Sequence, residues 1–313
     1  MLDANNESTG FMISMDDITQ EKRLKSTMVR YMTNEAAEQM VETGEVSFGG
    51  TPQTATVLYS DIRSGAAVFE DVDARDTVSM LNEYYASMVD VVVKHGGMLD
   101  KHIGNAVMAV FGAPFPGDDD AVKAVTAAND MMRALNAMNV ERVKRGGSKI
   151  LTRVGVNTGE LISGNIGGPN SLDYAIVGDS VKLATQLEDA ANEYDVQILL
   201  GSATVDAVQG AGLKIRELDI IRVKGENRPV PIFEALDHFD DDSFPNMDAA
   251  IEAFEKGLSL YRNRNWKEAM NAFSTALTLS AGDSPSRLYL ERCLRYMATP
   301  PPENWDGIWV MTG

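Results

Sequence analysis

From Thr54 the positions Ala55, Val57, Leu58 and Tyr59 form an apolar run that predicts a buried strand, and this strand delivers Asp61 to its C-terminal end. Val78, Leu81, Tyr85, Met88 and Val92 follow at alternating steps of three and four, the period of one helix face, and Gly96 and Gly97 close that helix. Residues 98–102 and 106–111 then flank Gly104-Asn105, a two-residue turn of the kind that joins a β-hairpin. Residues 121–138 predict a second amphipathic helix, and residues 152–157 a strand ending at Thr158-Gly159. Strand, helix, hairpin, helix, strand is an α/β (α+β) order of ferredoxin-like type.

Both ends of the chain differ from this middle. Residues 10–18 read as a strand ending in an Asp-rich turn, and Thr19 caps a helix running toward Met32 with Leu24, Met28 and Tyr31 on one face. This segment resembles the last strand of a PAS-type sensor and the linker helix that follows one; the alternative is a simple N-terminal extension. After Leu236, Asp237, Asp240, Asp241 and Asp242 form an acidic linker. Gly257, Ala269, Phe273 and Ala276 then fall at the spacing of a tetratricopeptide repeat, with Trp266 opening its second helix and a third helix over residues 286–297. One such repeat cannot bury its apolar face alone, so these helices are expected to pack on the preceding domain or on a second subunit. Pro300, Pro301 and Pro302 end the helices, and Trp305 and Trp309 are expected to fold back as anchors. The expected partition is a sensor-like segment and linker (1–49), the main domain (50–236), the acidic linker (237–245), the helical extension (246–299) and a Pro/Trp tail (300–313).

A chain of 313 residues with 44% apolar and 24% charged positions has the composition of a soluble globular protein. Its formal charge of -18 argues against nucleic acid or anionic lipid as a partner and would also repel a nucleotide triphosphate, so such a site needs local cations. The single cysteine, Cys293, excludes an intramolecular disulfide and suggests a reducing compartment. With no apolar run of membrane-spanning length and no leader-like start, the expected location is cytoplasmic, with no direct membrane span.

Residues 57–63 (VLYSDIR), 96–112 (GGMLDKHIGNAVMAVFG) and 173–188 (DYAIVGDSVKLATQLE) resemble, in order and spacing, a class III nucleotide cyclase domain. Ile221-Arg222-Val223-Lys224-Gly225 before Pro229-Val230 and Ile232-Phe233-Glu234 extends the resemblance over about residues 50–236. It implies an enzyme that joins the ribose 3′ oxygen to the α-phosphate of ATP or GTP, using two Mg²⁺ or Mn²⁺ ions held by two aspartates. It also implies sites shared between two head-to-tail subunits, one giving the metal aspartates and the other the purine-reading and transition-state residues.

Set against that pattern, the side chains are largely exchanged. Asp61 stands where the first metal aspartate belongs, followed by Ile62, whose carbonyl faces a metal in the family. Ser64, Gly65 and Ala66 stand where the family has Gly-Phe-Thr, whose amides cradle the triphosphate, so the glycine is shifted by one. Asn105 replaces the second metal aspartate, and a neutral amide ligates Mg²⁺ weakly. Lys101 matches the purine-reading lysine, but its usual Thr or Asp partner is Ala175, beside Ile176 in the same substrate pocket. Lys182 stands for the ribose-orienting Asn, Gln186 for the charge-stabilising Arg, and Glu226 for a triphosphate-binding Lys.

Loss of one preorganised donor commonly lowers a rate by about two to three powers of ten, and several losses are not additive. The expectation is activity reduced by roughly four powers of ten or more, and a degenerate cyclase domain that dimerises or regulates, as a homodimer or beside an intact cyclase subunit. In that emptied pocket Lys182 and Glu226 are expected to neutralise each other. Two alternatives stay open. One is an active adenylate cyclase, in which Lys182 restores the cation lost at Gln186 or a partner subunit supplies the missing groups. The other is a scaffold that binds a partner through its C-terminal helices. Elsewhere structural roles are expected: His95 and His102 lack partners at metal-ligand spacing, methionines such as Met131, Met132 and Met138 fill the core, and Asp118, Asp119 and Asp120 make a solvated helix start.

Overall fold

The computed structural model describes residues 49–63, 73–168, 171–223 and 228–311. The expected N-terminal strand and linker helix, Ser64, Gly65 and Ala66, and Glu226 with its pairing to Lys182, lie outside the described residues. In chain order the elements are β1 Gly49–Ile62, α1 Ala74–Lys94, β2 Met98–Ile103, β3 Ala106–Phe111, α2 Asp120–Lys144, β4 Thr152–Gly168, β5 Ser171–Val177, α3 Asp179–Tyr194, β6 Ile198–Gly201 and α4 Ser202–Ala207. They continue with β7 Ile215–Arg222, β8 Val230–Ala235, α5 Met247–Arg262, α6 Trp266–Leu279, α7 Ser284–Ala298 and β9 Trp309–Val310. The strands form one sheet in the order β2-β3-β1-β4-β6-β8-β7-β9, with β5 paired to the far half of β4.

Alternation along β1 sorts its side chains onto two faces. Leu58 and Ile62 pack with Met80, Tyr84, Met88 and Val92 of α1 and with the buried side of α2. Ala55 and Val57 pack on the opposite face with Met108, Val110, Leu161, Ile176 and Ala184, and by the same alternation Asp61 belongs to that second face. The helix α3 lies close over it because β4 carries Gly155, where a Cβ would overlap the Ala184 carbonyl and come within 2.6 Å of the Glu188 amide.

Three element boundaries and one helix face differ from the sequence reading. β1 begins at Gly49 and β4 runs on to Gly168, because the two pair in register from Ile62↔Thr152 to Gly49↔Asn165 and β5 pairs with the rest of β4, as far as Gly168↔Ser171. Thr158-Gly159 therefore continues the strand instead of ending it: Thr158 shares hydroxyl hydrogen bonds with Thr56 and Thr204. α2 extends to Lys144 and stops at Arg145 and Gly146, the latter at φ +83°. In α1 the deeply buried stripe is Met80, Tyr84, Met88 and Val92, while Val78 is 57% exposed. Tyr84 can occupy the core because its hydroxyl is met by Ser60 Oγ at 3.0 Å and Thr152 Oγ1 at 3.2 Å.

The C-terminal helices pack directly on the sheet. Phe254, Leu258, Tyr261, Phe273 and Tyr289 form one core with Leu187, Ala191 and Tyr194 of α3 and with Leu218 and Ile232 of the sheet. Gly257 lets α5 seat on α6, since a Cβ there would lie 2.6 Å from the Phe273 ring. Two buried arginines join the parts: Arg216 binds Glu234 and Asp283, and Arg292 binds Asp219. The tail folds back, with β9 pairing parallel to the end of β7 and Trp309 stacked 3.7 Å from the Arg292 guanidinium. Trp305 packs edge-on against Tyr261 and Trp266.

Candidate functional site

Asp61, Ile62 and Asn105 come together because β1 and β3 pair antiparallel, with Asp61 opposite Ala106. Asn105 occupies the hairpin tip after Gly104, which takes φ +63° and so suits glycine. The Tyr85 hydroxyl on α1 anchors that tip by donating to the Gly104 carbonyl at 2.5 Å. Here the Asn105 Nδ2 donates to the Ile62 carbonyl at 2.8 Å. The carbonyl that the family pattern turns toward a cation thus already receives a neutral N–H.

Asp61 is half-buried, and its Oδ1 has no hydrogen-bond partner. Burial raises its pKa, against a hydrogen bond from the Ile62 backbone, and the negative charge of Asp189 adds to the rise. An unpartnered, partly desolvated carboxylate oxygen suits a cation. Beside it Asn105 carries a neutral amide, whose N–H is directed at the Ile62 oxygen. Among the described residues no group of three or more His, Cys, Asp or Glu side chains is arranged to hold a metal ion.

Glu188 is the residue of this neighbourhood that the sequence reading passed over. It is 8% exposed on α3, and its pKa is raised to about 7 by burial, then by the charges of Asp61 and Asp189, against Arg153 and Arg63. The same cluster, after burial, pushes the Tyr59 phenol up to about 12. A signal for Glu188 was present: it lies four residues after Ala184 and three before Ala191, on the apolar face of the helix.

The substrate-side positions sit on other elements. Lys101 is part-exposed on β2, with its Nζ 3.1 Å from the carboxylate of Asp100, whose side chain is fully buried. β2 is irregular at this point, with a register shift between Leu99 and Lys101. Ala175 and Ile176 lie on β5, opposite Gly164 and Ser163 of β4, and only Ile176 is buried. Lys182 is exposed and Gln186 half-buried on successive turns of α3. His95 has a structural partner in Asp130, at 2.8 Å. In the acidic run, Asp120 opens α2 and its carboxylate accepts the Gly117 amide at 2.5 Å.

Residues 50–233 match the adenylate and guanylate cyclase catalytic domain. The chain is 32% identical over 253 residues to the terminal-differentiation specific adenylate cyclase of Dictyostelium discoideum, covering 79% of this chain and 12% of that protein. It is 29% identical over 240 residues to an adenylate cyclase of Anabaena cylindrica, covering 74% of this chain and 46% of that one. The chain thus spans under half the length of either relative. Among solved structures, the adenylyl cyclase CyaB from P. aeruginosa matches with TM-score 0.56 and 32% identity, over 60% of this chain and 96% of that one. The guanylyl cyclase Cya2 matches with TM-score 0.54 and 31% identity, over 60% and 94%. Asp61 and Asn105 both lie within the matched residues, whereas α5, α6, α7 and β9 lie beyond them. The chain belongs to the adenylate and guanylate cyclase catalytic domain family.

Proposed function

We propose that this chain is a catalytically degenerate cyclase domain that acts in cyclic-nucleotide signalling by pairing head to tail, with itself or with an intact cyclase subunit. The observation that carries the reading is the hydrogen bond from Asn105 to the Ile62 carbonyl. An aspartate at this position would give a second carboxylate for divalent cations; the amide contributes no charge and directs an N–H at a prospective ligand. Ala175 and Gln186, each lacking the polar group the family uses, point the same way.

In this reading Asp61 is a lone metal carboxylate, suited at most to one weakly held Mg²⁺ or Mn²⁺. Lys101 can still present a cation to a purine edge, so binding of ATP or GTP can outlast turnover. In a mixed dimer the site built on Asp61 would receive an intact donor half from the partner and lack only the charge at Asn105. The reciprocal site would meet Lys182 and Gln186, so at most one site per dimer would work. The three C-terminal helices, read as tetratricopeptide-like, would brace α3 in either dimer.

The test is to purify the chain, measure its self-association by sedimentation and assay cyclic AMP and cyclic GMP with Mg²⁺ and with Mn²⁺. A dimer without measurable turnover supports the reading. Turnover by the chain alone at an ordinary enzymatic rate, on the order of 1 s⁻¹ or more, favours the active adenylate cyclase reading instead. A monomer that fails to associate with any cyclase subunit removes the regulatory role.

A further inference from the structure

Lys101 reaches its position through an irregularity in β2. Met98 lies opposite Val110 and Leu99 opposite Ala109, but Lys101 lies opposite Met108, so Asp100 is an extra residue in a bulge. Residues directly opposite each other on paired strands share a face of the sheet. Leu99 and Ala109 belong to the core formed with α1 and α2, whereas Met98, Met108 and Val110 belong to the face that also carries Asp61. Strict alternation from Leu99 would send Lys101 into the first core. The bulge brings it to the Asp61 face instead.

The bulged residue is itself a carboxylate shut away from water. The Asp100 side chain has 0% exposure, against 42% for that of Lys101, and Lys101 Nζ lies 3.1 Å from Asp100 Oδ2. Among the described residues neither oxygen has an aligned hydrogen-bond donor, so the contact is one of charge. Burial pushes the Asp100 carboxyl up, and Lys101 draws it back down. A buried carboxylate answered by a half-exposed ammonium is a poor source of stability. It does constrain the lysine, whose flexible four-carbon stem otherwise samples many rotamers. The neighbouring strand gives no such hold: β2 touches β5, but position 175 there is alanine, which carries no acceptor.

We propose that Asp100 is the positioning residue of Lys101: from its buried place in the bulge it holds the ammonium ready for a purine edge, the task that Ala175 leaves unfilled. Asp100 itself does not touch the nucleotide, because both of its oxygens are enclosed. Lys101 Nζ alone is presented, as a donor to an acceptor atom of the base, and fixing it beforehand lowers the entropic cost of binding. This role rests on the reading of Lys101 as the purine-facing cation.

The experiment is a double-mutant cycle on the full chain, titrated with ATP and with GTP that carry a fluorescent group on the ribose 3′ oxygen and so cannot be cyclised, beside thermal melts. Lys101→Ala and Asp100→Asn should each weaken binding by about threefold or more, and the two together should bind no more weakly than Lys101→Ala alone, because Asp100 acts through the lysine. Ala175→Asp should restore most of the affinity lost in Asp100→Asn. Asp100→Ser is carried in parallel, so that the cycle does not depend on one variant folding. Binding that weakens in Lys101→Ala but not in Asp100→Asn overturns the role of Asp100 and leaves that of Lys101 standing. A loss in Asp100→Asn that persists in full without Lys101 overturns it too, as the mark of a merely structural residue. Binding that Lys101→Ala leaves unchanged, or that the natural chain lacks, removes the purine-facing lysine itself and the role of Asp100 with it. A crystal structure of the natural chain with Lys101 Nζ more than about 4 Å from both Asp100 oxygens overturns that role independently.

Discussion

The side-chain amide of Asn105 donates to the backbone carbonyl of Ile62 at 2.8 Å, so a neutral N–H stands beside the strand end that carries Asp61. Asn105→Asp turns this donor into an acceptor facing an oxygen. Without metal the variant should lose about 1–3 kcal/mol of stability, the penalty for an unmatched polar group. Mn²⁺ should then raise its Tm by more than it raises that of the natural chain, through binding linked to folding. Equal shifts in the two proteins would show that the amide is not what limits the cation.

Glu188 gives the fold a pH dependence of definite sign. Its ordinary value of 4.5 rises to about 7 in the folded chain, chiefly through burial. Between those values the folded protein keeps a proton that the unfolded chain has released, so this contribution to stability declines as pH rises through the window. The full decline is roughly 2–4 kcal/mol by linkage. Glu188→Gln should flatten it, making the variant more stable than the natural chain at pH 8 and nearly equal at pH 4.5. Urea midpoints at four pH values would measure this, and parallel curves for the two proteins would refute it.

Trp309 closes the C-terminal tail over Arg292, with its ring 3.7 Å from the guanidinium and its Nε1 donating to Glu193. Trp309→Ala should cost roughly 2–4 kcal/mol, combining lost aromatic packing with lost cation–π attraction. Trp309→Phe, which keeps the ring face, should recover more than half of that by chemical denaturation. If the phenylalanine variant were as unstable as the alanine one, the indole N–H would carry the effect.

Gly155→Ala tests how α3 is held. The added methyl would overlap the Ala184 carbonyl and the Glu188 amide, which are backbone atoms that cannot rotate aside. Overpacking of this kind costs about 1–3 kcal/mol, and relief requires α3, with Lys182 and Gln186, to lift from β4. A variant as stable as the natural chain would mean that the helix seats less closely than described.

Much of this architecture could be read from residue order. The Asp61 strand end and the Gly104-Asn105 turn depend on local apolar runs and a two-residue turn, both short-range signals. What could not be read depends on pairing over distance. The Asn105 to Ile62 hydrogen bond needs the β1–β3 register, and the extension of β4 to Gly168 needs β1 beside it as far as Asn165 and β5 beyond. Arg216 and Arg292 sit in the core against the usual preference of arginine for the surface, which is permitted only by carboxylates from other elements, Asp283 and Asp219 among them. Trp305 and Trp309 were legible as anchors because large aromatic side chains after a proline run have few other uses, but their partners were not.

The most direct measurement compares cyclic AMP and cyclic GMP formation by the purified natural chain with that of a variant carrying Asn105→Asp, Ala175→Thr, Lys182→Asn, Gln186→Arg and Glu226→Lys, each with Mg²⁺ and Mn²⁺. A silent natural chain and a variant that turns over would establish a cyclase fold disarmed at these five positions. A natural chain already turning over at about 1 s⁻¹ would contradict the account and move the catalytic role to the groups present, beginning with Lys182.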